Sequence, residues 1–244
     1  MDAMAAFSLG WVPAIAEFTR YTKNKATSIV APMIGANLAL FWFAFVGIIG
    51  AIGTAIATGV YDPNNSDPST IVSKLGLGAV AFLVIILTST TANAINLTAA
   101  GISITNVTKK IKPIPALWLV AIAAALLSVV PLLIGSFLSS FILFLDYIGM
   151  VFGPVFGIMI VDYYLVKKKS YDTDQLDIQK GKYWFNNGFN MLAIGTWVIS
   201  VVLFLVMKQI PQIGLTIGAT YPTILASGII YLILNKVISV KEVI

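Results

Sequence analysis

The run Val80-Ala-Phe-Leu-Val-Ile-Ile-Leu87, Thr88-Ser89-Thr90-Thr91-Ala92-Asn93-Ala94-Ile95-Asn96, Leu97-Thr-Ala-Ala-Gly-Ile-Ser-Ile104 decides how this chain is read. Apolar residues flank both sides, and a bilayer needs about 20 of them to be crossed. Yet six polar side chains stand within the nine residues from Thr88 to Asn96. Hydrocarbon offers no water to hydroxyls and amides, so such groups must face protein, a ligand or a wet cavity. The constraint points to a polar site at the depth of the bilayer midplane.

The rest of the chain has the same solvent preference. Of 244 residues, 59% are hydrophobic and 10% charged, with a mean hydropathy of +0.94. A soluble domain carries about 25% charged residues. There is no cysteine, which excludes disulfides and thiolate chemistry, and no histidine, which excludes imidazole relays and His-based metal sites. Seven apolar segments are predicted, over 3–18, 29–60, 75–107, 114–134, 137–166, 189–207 and 213–234. The first is short for a span. The second, third and fifth are long enough to tilt, break or carry helical extensions. An all-α integral membrane protein is the predicted class.

Orientation follows from the basic residues. Arg20, Lys23, Lys25, Lys109, Lys110, Lys112, Lys167, Lys168, Lys169, Lys180, Lys182, Lys236 and Lys241 fall on one side, thirteen of fifteen, with Lys74 and Lys208 opposite. Basic loops stay in the cytoplasm, so the N-terminus is expected outside and the C-terminus inside, in the cell membrane. The external loop is then 61–68. The basic balance reports topology and implies no nucleic-acid partner. No basic n-region precedes an apolar stretch before Arg20, so no cleavable signal is expected. An outside N-terminus without a signal is unusual for a complete transporter and raises the expectation of a missing upstream part.

Several residues are candidates for chemistry. On a helix, Ser89, Asn93, Asn96 and Ala100 share one face, with Thr91 and Thr98 adjacent. Asparagine amides pair donors with acceptors, as the edge of a heterocycle requires. Threonine hydroxyls and unwound carbonyls suit a hard cation such as sodium. The alternative is that the hydroxyls bond back to their own i−4 carbonyls and the asparagines bridge helices. Gly10-Trp11-Val12-Pro13 predicts a discontinuous first helix with an aromatic face able to stack on a planar ring, or a tryptophan of the interfacial belt. Gly149, Gly153 and Gly157 predict a groove for a close helix, and Pro154 a kink. Asp146 lies on the groove's face, as a proton or cation carrier or as a structural carboxyl. Asp162 reads as an interfacial anchor, and Glu17 with Arg20 as a local ion pair. Spans six and seven lack internal charge and read as peripheral. No catalytic constellation or phosphate loop is present, so an enzyme is not expected.

Three segments together resemble the nucleobase:cation symporter family, which includes the purine/cytosine permeases. Residues 11–23, Trp-Val-Pro-Ala-Ile-Ala-Glu-Phe-Thr-Arg-Tyr-Thr-Lys, look like its sixth span. Residues 90–106, from Thr90 to Asn106, look like its eighth, and residues 154–168, Pro-Val-Phe-Gly-Ile-Met-Ile-Val-Asp-Tyr-Tyr-Leu-Val-Lys-Lys, the end of its tenth. The resemblance implies a fold of two inverted five-helix repeats plus two further helices, with discontinuous helices. On that register this chain holds the sixth to twelfth spans, as seven transmembrane helices. It divides into second-repeat helices with half a site (1–168), a cytoplasmic loop (169–186) and two peripheral helices (187–244).

By position, Asn96, with Asn93 beside it, resembles the amide that contacts the substrate ring. Thr90 and Thr91 resemble the hydroxyl pair of the cation site, with the Leu87 carbonyl beside them. Trp11 resembles the stacking tryptophan. Many members place that tryptophan nine residues before the acid matching Glu17. Here the gap is six, and Ser8 holds the nine-residue position. Asp146 has no family counterpart. The implied function is secondary transport of a nucleobase or related heterocycle (cytosine, purine, uracil, allantoin or thiamine-precursor class) by sodium or proton symport. No cofactor is expected beyond the transported Na+ or H+. The expected partners are the small-molecule substrate, the bilayer and a separately encoded first half. A membrane-embedded interaction subunit or an inactive fragment is the alternative.

Overall fold

The computed structural model describes residues 2–63, 67–108, 110–134, 137–176 and 178–241. Lys109 and residues 64–66 of the expected external loop lie outside the described residues. The chain is helical, with no strand among the described residues. Among the described residues, six helices are long and apolar enough to cross a membrane: Lys25–Thr58, Gly78–Val107, Pro113–Leu133, Phe137–Val166, Met191–Gln209 and Thr220–Ile238. The seventh expected crossing, over 3–18, is not one helix. It is α1 (Asp2–Leu9) and α2 (Ile15–Thr19), each too short to span a bilayer. The break falls on Gly10-Trp11-Val12-Pro13, where Pro13 has no N–H to continue a helical ladder.

Two compact units are formed, one from Met1–Val12 with Leu143–Ile244 and one from Pro13–Ile142. In the second unit, α3 (Lys25–Thr58) starts four residues before the apolar run because the Asn24 side chain caps it, accepting from the Thr27 N–H at 2.8 Å. It ends at Gly59, whose φ of 75° is the left-handed cap that glycine adopts readily. Its 34 residues measure about 51 Å, well beyond the hydrocarbon thickness. A helix absent from the sequence reading, α4 (Pro68–Lys74), follows. Its signal was present: Asp67 caps the N–H groups of Ser69 and Thr70 at 3.0 Å each, and Pro68 occupies the first turn. Burial works to raise the Asp67 carboxyl, but hydrogen bonds from the Ser69 and Thr70 hydroxyls and N–H groups outweigh it and hold its pKa below the ordinary value.

Next comes α5 (Gly78–Val107), unbroken along 30 residues. It packs on α6 (Pro113–Ser128) through small residues. Ala99, Gly101 and Ala116 are buried, and a methyl group added at Gly101 would meet the Leu117 side chain at 2.6 Å. A short α7 (Val130–Ile134) follows.

In the first unit, α8 (Phe137–Val161) runs through Pro154 into one π-helical stretch, Asp162–Val166. Helix α9 (Met191–Gln209), the short α10 (Pro211–Gly214) and α11 (Thr220–Lys241) follow. The predicted glycine groove exists and is filled by the chain itself. Beside Gly149 lie the Thr220 hydroxyl and Ala6, beside Gly153 lie Ile224 and Leu9, and against Gly157 lie the Ile224 carbonyl and Ser227. Helices α9 and α11 contribute core to this unit. Thr196, Ser200 and Phe204 of α9 and Thr220, Thr223, Ser227 and Tyr231 of α11 are among the deepest residues. Their hydroxyls mostly bond to carbonyls of their own helix, as Thr196, Ser200 and Thr223 do to residues four before. A helix can bury such residues without charge and without unsatisfied groups.

Candidate functional site

The polar stretch lies in the middle of α5, within the second unit. Its hydroxyls follow the back-bonding pattern. Thr88 donates to the Val84 carbonyl at 2.8 Å, Thr90 to Ile86 at 2.7 Å, Thr91 to Leu87 at 2.9 Å and Thr98 to Ala94 at 2.8 Å. Each hydroxyl thus spends its proton on the helix and keeps oxygen lone pairs outward. Thr91 and Leu87 are brought together by this bond. The Leu87 carbonyl sits in an intact helix rather than at an unwound turn.

Asn93 and Asn96 behave differently. Both are exposed, and neither side chain hydrogen-bonds to any described residue. Their amides therefore keep all donors and acceptors available on one face of an apolar helix.

Trp11 belongs to the first unit, at the break after α1. Its backbone N–H donates to the Ser8 carbonyl at 3.3 Å, and the residue is 40% exposed. Asp146 forms an ion pair with Lys208, the basic residue that the charge pattern sets apart from most others. A second carboxylate lies at the same end of this unit. Asp2 accepts from the Ala219 N–H at 3.0 Å, the Thr220 N–H at 2.8 Å and the Thr220 hydroxyl at 2.7 Å, capping α11 from another helix. Burial works to raise the Asp2 carboxyl. The Thr220 and Ala219 hydrogen bonds and the charge of Lys208 outweigh it, so its pKa lies below the usual value.

At the opposite end of the same unit, Asp162 collects two tyrosines. It accepts from the hydroxyls of Tyr231 at 2.7 Å and Tyr171 at 2.5 Å. Tyr163 stacks on Tyr171, Tyr171 meets Tyr183 edge-on, and the ammonium groups of Lys167 and Lys182 lie 5.7 Å from the Tyr183 ring centre. The anchor expected of Asp162 is thus a tie between α8, the loop and α11. Burial, then the bond to Asp162, pushes the Tyr171 hydroxyl well above the ordinary tyrosine range.

In the second unit, the Glu17–Arg20 pair at 2.9 Å has a third member that the sequence reading missed. Asn106, near the end of α5, donates to Glu17 at 2.9 Å. No local pattern announces this contact, because 89 residues separate the two.

Comparison with known proteins accords with this architecture. Residues 1–230 match the family described as permease for cytosine/purines, uracil, thiamine, allantoin. An allantoin permease of Bacillus subtilis (strain 168) is 24% identical over 231 residues, covering 91% of this chain and 46% of that protein. A purine-uracil permease of Arabidopsis thaliana is 26% identical over 195 residues, 77% of this chain and 32% of that protein. A thiamine transporter of Saccharomyces cerevisiae is 37% identical over 60 residues, 25% of this chain and 10% of that protein. The chain thus spans less than half the length of these curated relatives. No solved structure matches it. With a family match over nearly its whole length and six helices long and apolar enough to cross a bilayer, the chain is a multi-pass membrane protein of the cytosine/purine, uracil, thiamine and allantoin permease family.

Proposed function

We propose that this chain supplies the second half of a secondary active transporter that imports a nucleobase or related heterocycle together with sodium ions or protons. One observation carries the reading: Asn93 and Asn96 stand exposed and unpaired in the middle of an apolar 30-residue helix. An amide without a partner in an apolar medium costs on the order of 1–3 kcal/mol by substitution data. Two such groups on one face call for a polar occupant. A planar ring with adjacent donors and acceptors matches that face, and the permease family supplies the chemical class.

In this reading Asn93 and Asn96 hydrogen-bond the edge of the ring. Thr90 and Thr91 offer hydroxyl lone pairs to the cation. The Leu87 carbonyl joins them when α5 opens locally, because in the intact helix it already accepts from the Thr91 hydroxyl. Asp146 is a candidate carrier whose proton or cation competes with Lys208 for the carboxylate. The chain crosses the membrane seven times, with the N-terminus outside and the C-terminus cytoplasmic. The two inverted repeats are completed by a first half outside this sequence, whose helices cover the exposed face of α5.

The alternative of an interaction subunit docking a partner on the glycine groove lacks a surface, since α11 and α1 already occupy Gly149, Gly153 and Gly157. The test is uptake of labelled cytosine, uracil, hypoxanthine and allantoin by cells expressing the chain with a first-half polypeptide of the family, and with the chain alone. Cation-dependent accumulation by the pair alone supports the reading. Accumulation by the chain alone, or by neither, overturns it.

A further inference from the structure

Helix α2 has little of its own to hold it in place. It is five residues long, has no buried residue and has no side-chain cap at its start. Isolated helices below about 12–15 residues are marginal in water, so a single turn depends on tertiary ties. One such tie, to α5, is made by Glu17. One carboxylate oxygen accepts from Arg20 at 2.9 Å within the same turn. The other accepts from the Asn106 amide at 2.9 Å, across to α5. The Glu17 side chain is only 12% exposed, whereas that of Arg20 is 48% exposed. The carboxylate is largely shielded although Asn106 is exposed, and its charge-assisted bond to Asn106 ties two helices 89 residues apart, which the ion pair within one turn cannot do.

Asn106 stands ten residues beyond Asn96 on the same unbroken helix, about 15 Å along its axis. We infer that Glu17 is a positioning residue: through Asn106 it clamps α2 to the far end of α5, so the segment after the broken first helix and the polar face of α5 move as one body. This inference rests on the reading of α5 as half of a transport site. Arg20 completes the clamp, holding the Glu17 carboxylate in place while itself lying over the Tyr21 ring at 5.0 Å.

The test exchanges donor and acceptor. Asn106→Asp sets two carboxylates against each other and breaks the clamp. Glu17→Gln retains an acceptor for Asn106. The double variant places the donor on α2 and the acceptor on α5, restoring the bond in reverse. Amide hydrogen exchange over residues 15–22 is measured on the chain itself in lipid nanodiscs. Uptake KM and maximal rate are measured on the chain paired with a first half. N106D is expected to speed exchange over 15–22 and raise KM roughly tenfold, with both restored in the double variant. Exchange that ignores N106D overturns the clamp. Exchange that follows the swap while KM does not overturns the positioning role. A wild-type pair that takes up no heterocycle overturns the transport reading instead, and the exchange data still decide the clamp.

Discussion

Tyr231 donates its hydroxyl to Asp162 at 2.7 Å, across 69 residues of sequence. Tyr231 is 2% exposed and stands midway along α11, while Asp162 is half-buried. The same carboxylate accepts from Tyr171 of the loop after the π-helical stretch. Its position, where α8 passes into π-helix, lets one residue fix a helix end, a loop and a second helix.

Tyr231→Phe removes a hydrogen bond to a charged acceptor and keeps the ring. The expected loss is about 1.5–3 kcal/mol, read as a lower thermal midpoint of the purified protein. Asp162→Ala is expected to cost more, because it leaves two tyrosine hydroxyls without their acceptor. Equal melting of Y231F and wild type contradicts the tie.

Gly157→Ala is expected to be the most damaging glycine substitution. The added methyl meets the Ile224 backbone carbonyl, which cannot rotate away as a side chain can. Helices α8 and α11 must separate, at a cost of about 1–3 kcal/mol or more. Gly195→Ala, in a helix with nothing within 4 Å of the new methyl, is the control and is expected to fold normally. Yield of monodisperse protein after solubilisation distinguishes the two.

Asp67 supplies a pH-dependent contribution. Its pKa is held below the ordinary 3.8 in the folded protein, so its stabilisation is fully present above that value and is lost as pH falls through the folded pKa. Asp67→Ala is expected to cost about 0.5–2 kcal/mol at pH 7 and progressively less below pH 4, measured by melting across that range. A constant difference down to the acid limit contradicts the assignment.

Asp146→Asn tests the carrier reading against a purely structural pair. As a carrier, Asp146 is needed for coupling, so D146N is expected to flatten the pH or sodium dependence of uptake, while Lys208→Ala retains that dependence. If both variants merely lower expression equally and keep coupling, the ion pair is structural.

Much of this was legible from residue pattern, and the rest failed for identifiable reasons. Hydropathy located all six long helices, because a bilayer sets a length threshold that local composition either meets or misses. Gly10 and Pro13 announced the broken first helix, since their backbone effects are local. The triplet Gly149, Gly153 and Gly157 announced a groove, but not that α11 fills it. Helix pairing depends on contacts far apart in sequence, and the lack of charge from Thr220 to Asn235 suited burial as well as lipid. Helix α4 has its start marked by Asp67-Pro68, but seven residues are too few for a hydropathy threshold to register. The partners of Asp162 and Glu17 are likewise tertiary. Within α5, composition alone left open whether Thr88, Thr90, Thr91 and Thr98 serve a ligand or the helix. Their hydroxyls bond backward and the helix stays intact, while Asn93 and Asn96 remain available.

The most direct measurement of the central claim is equilibrium binding of labelled nucleobases and allantoin to the purified chain paired with a first half, with Asn96→Ala and Asn93→Ala as variants. The account predicts saturable binding by the pair, absent from the chain alone and weakened roughly tenfold or more by N96A, the loss expected when a ring edge keeps its polar groups and the protein loses their partner. Binding unchanged in both variants, or full binding by the chain alone, contradicts the claim that the face of α5 is half of a heterocycle site.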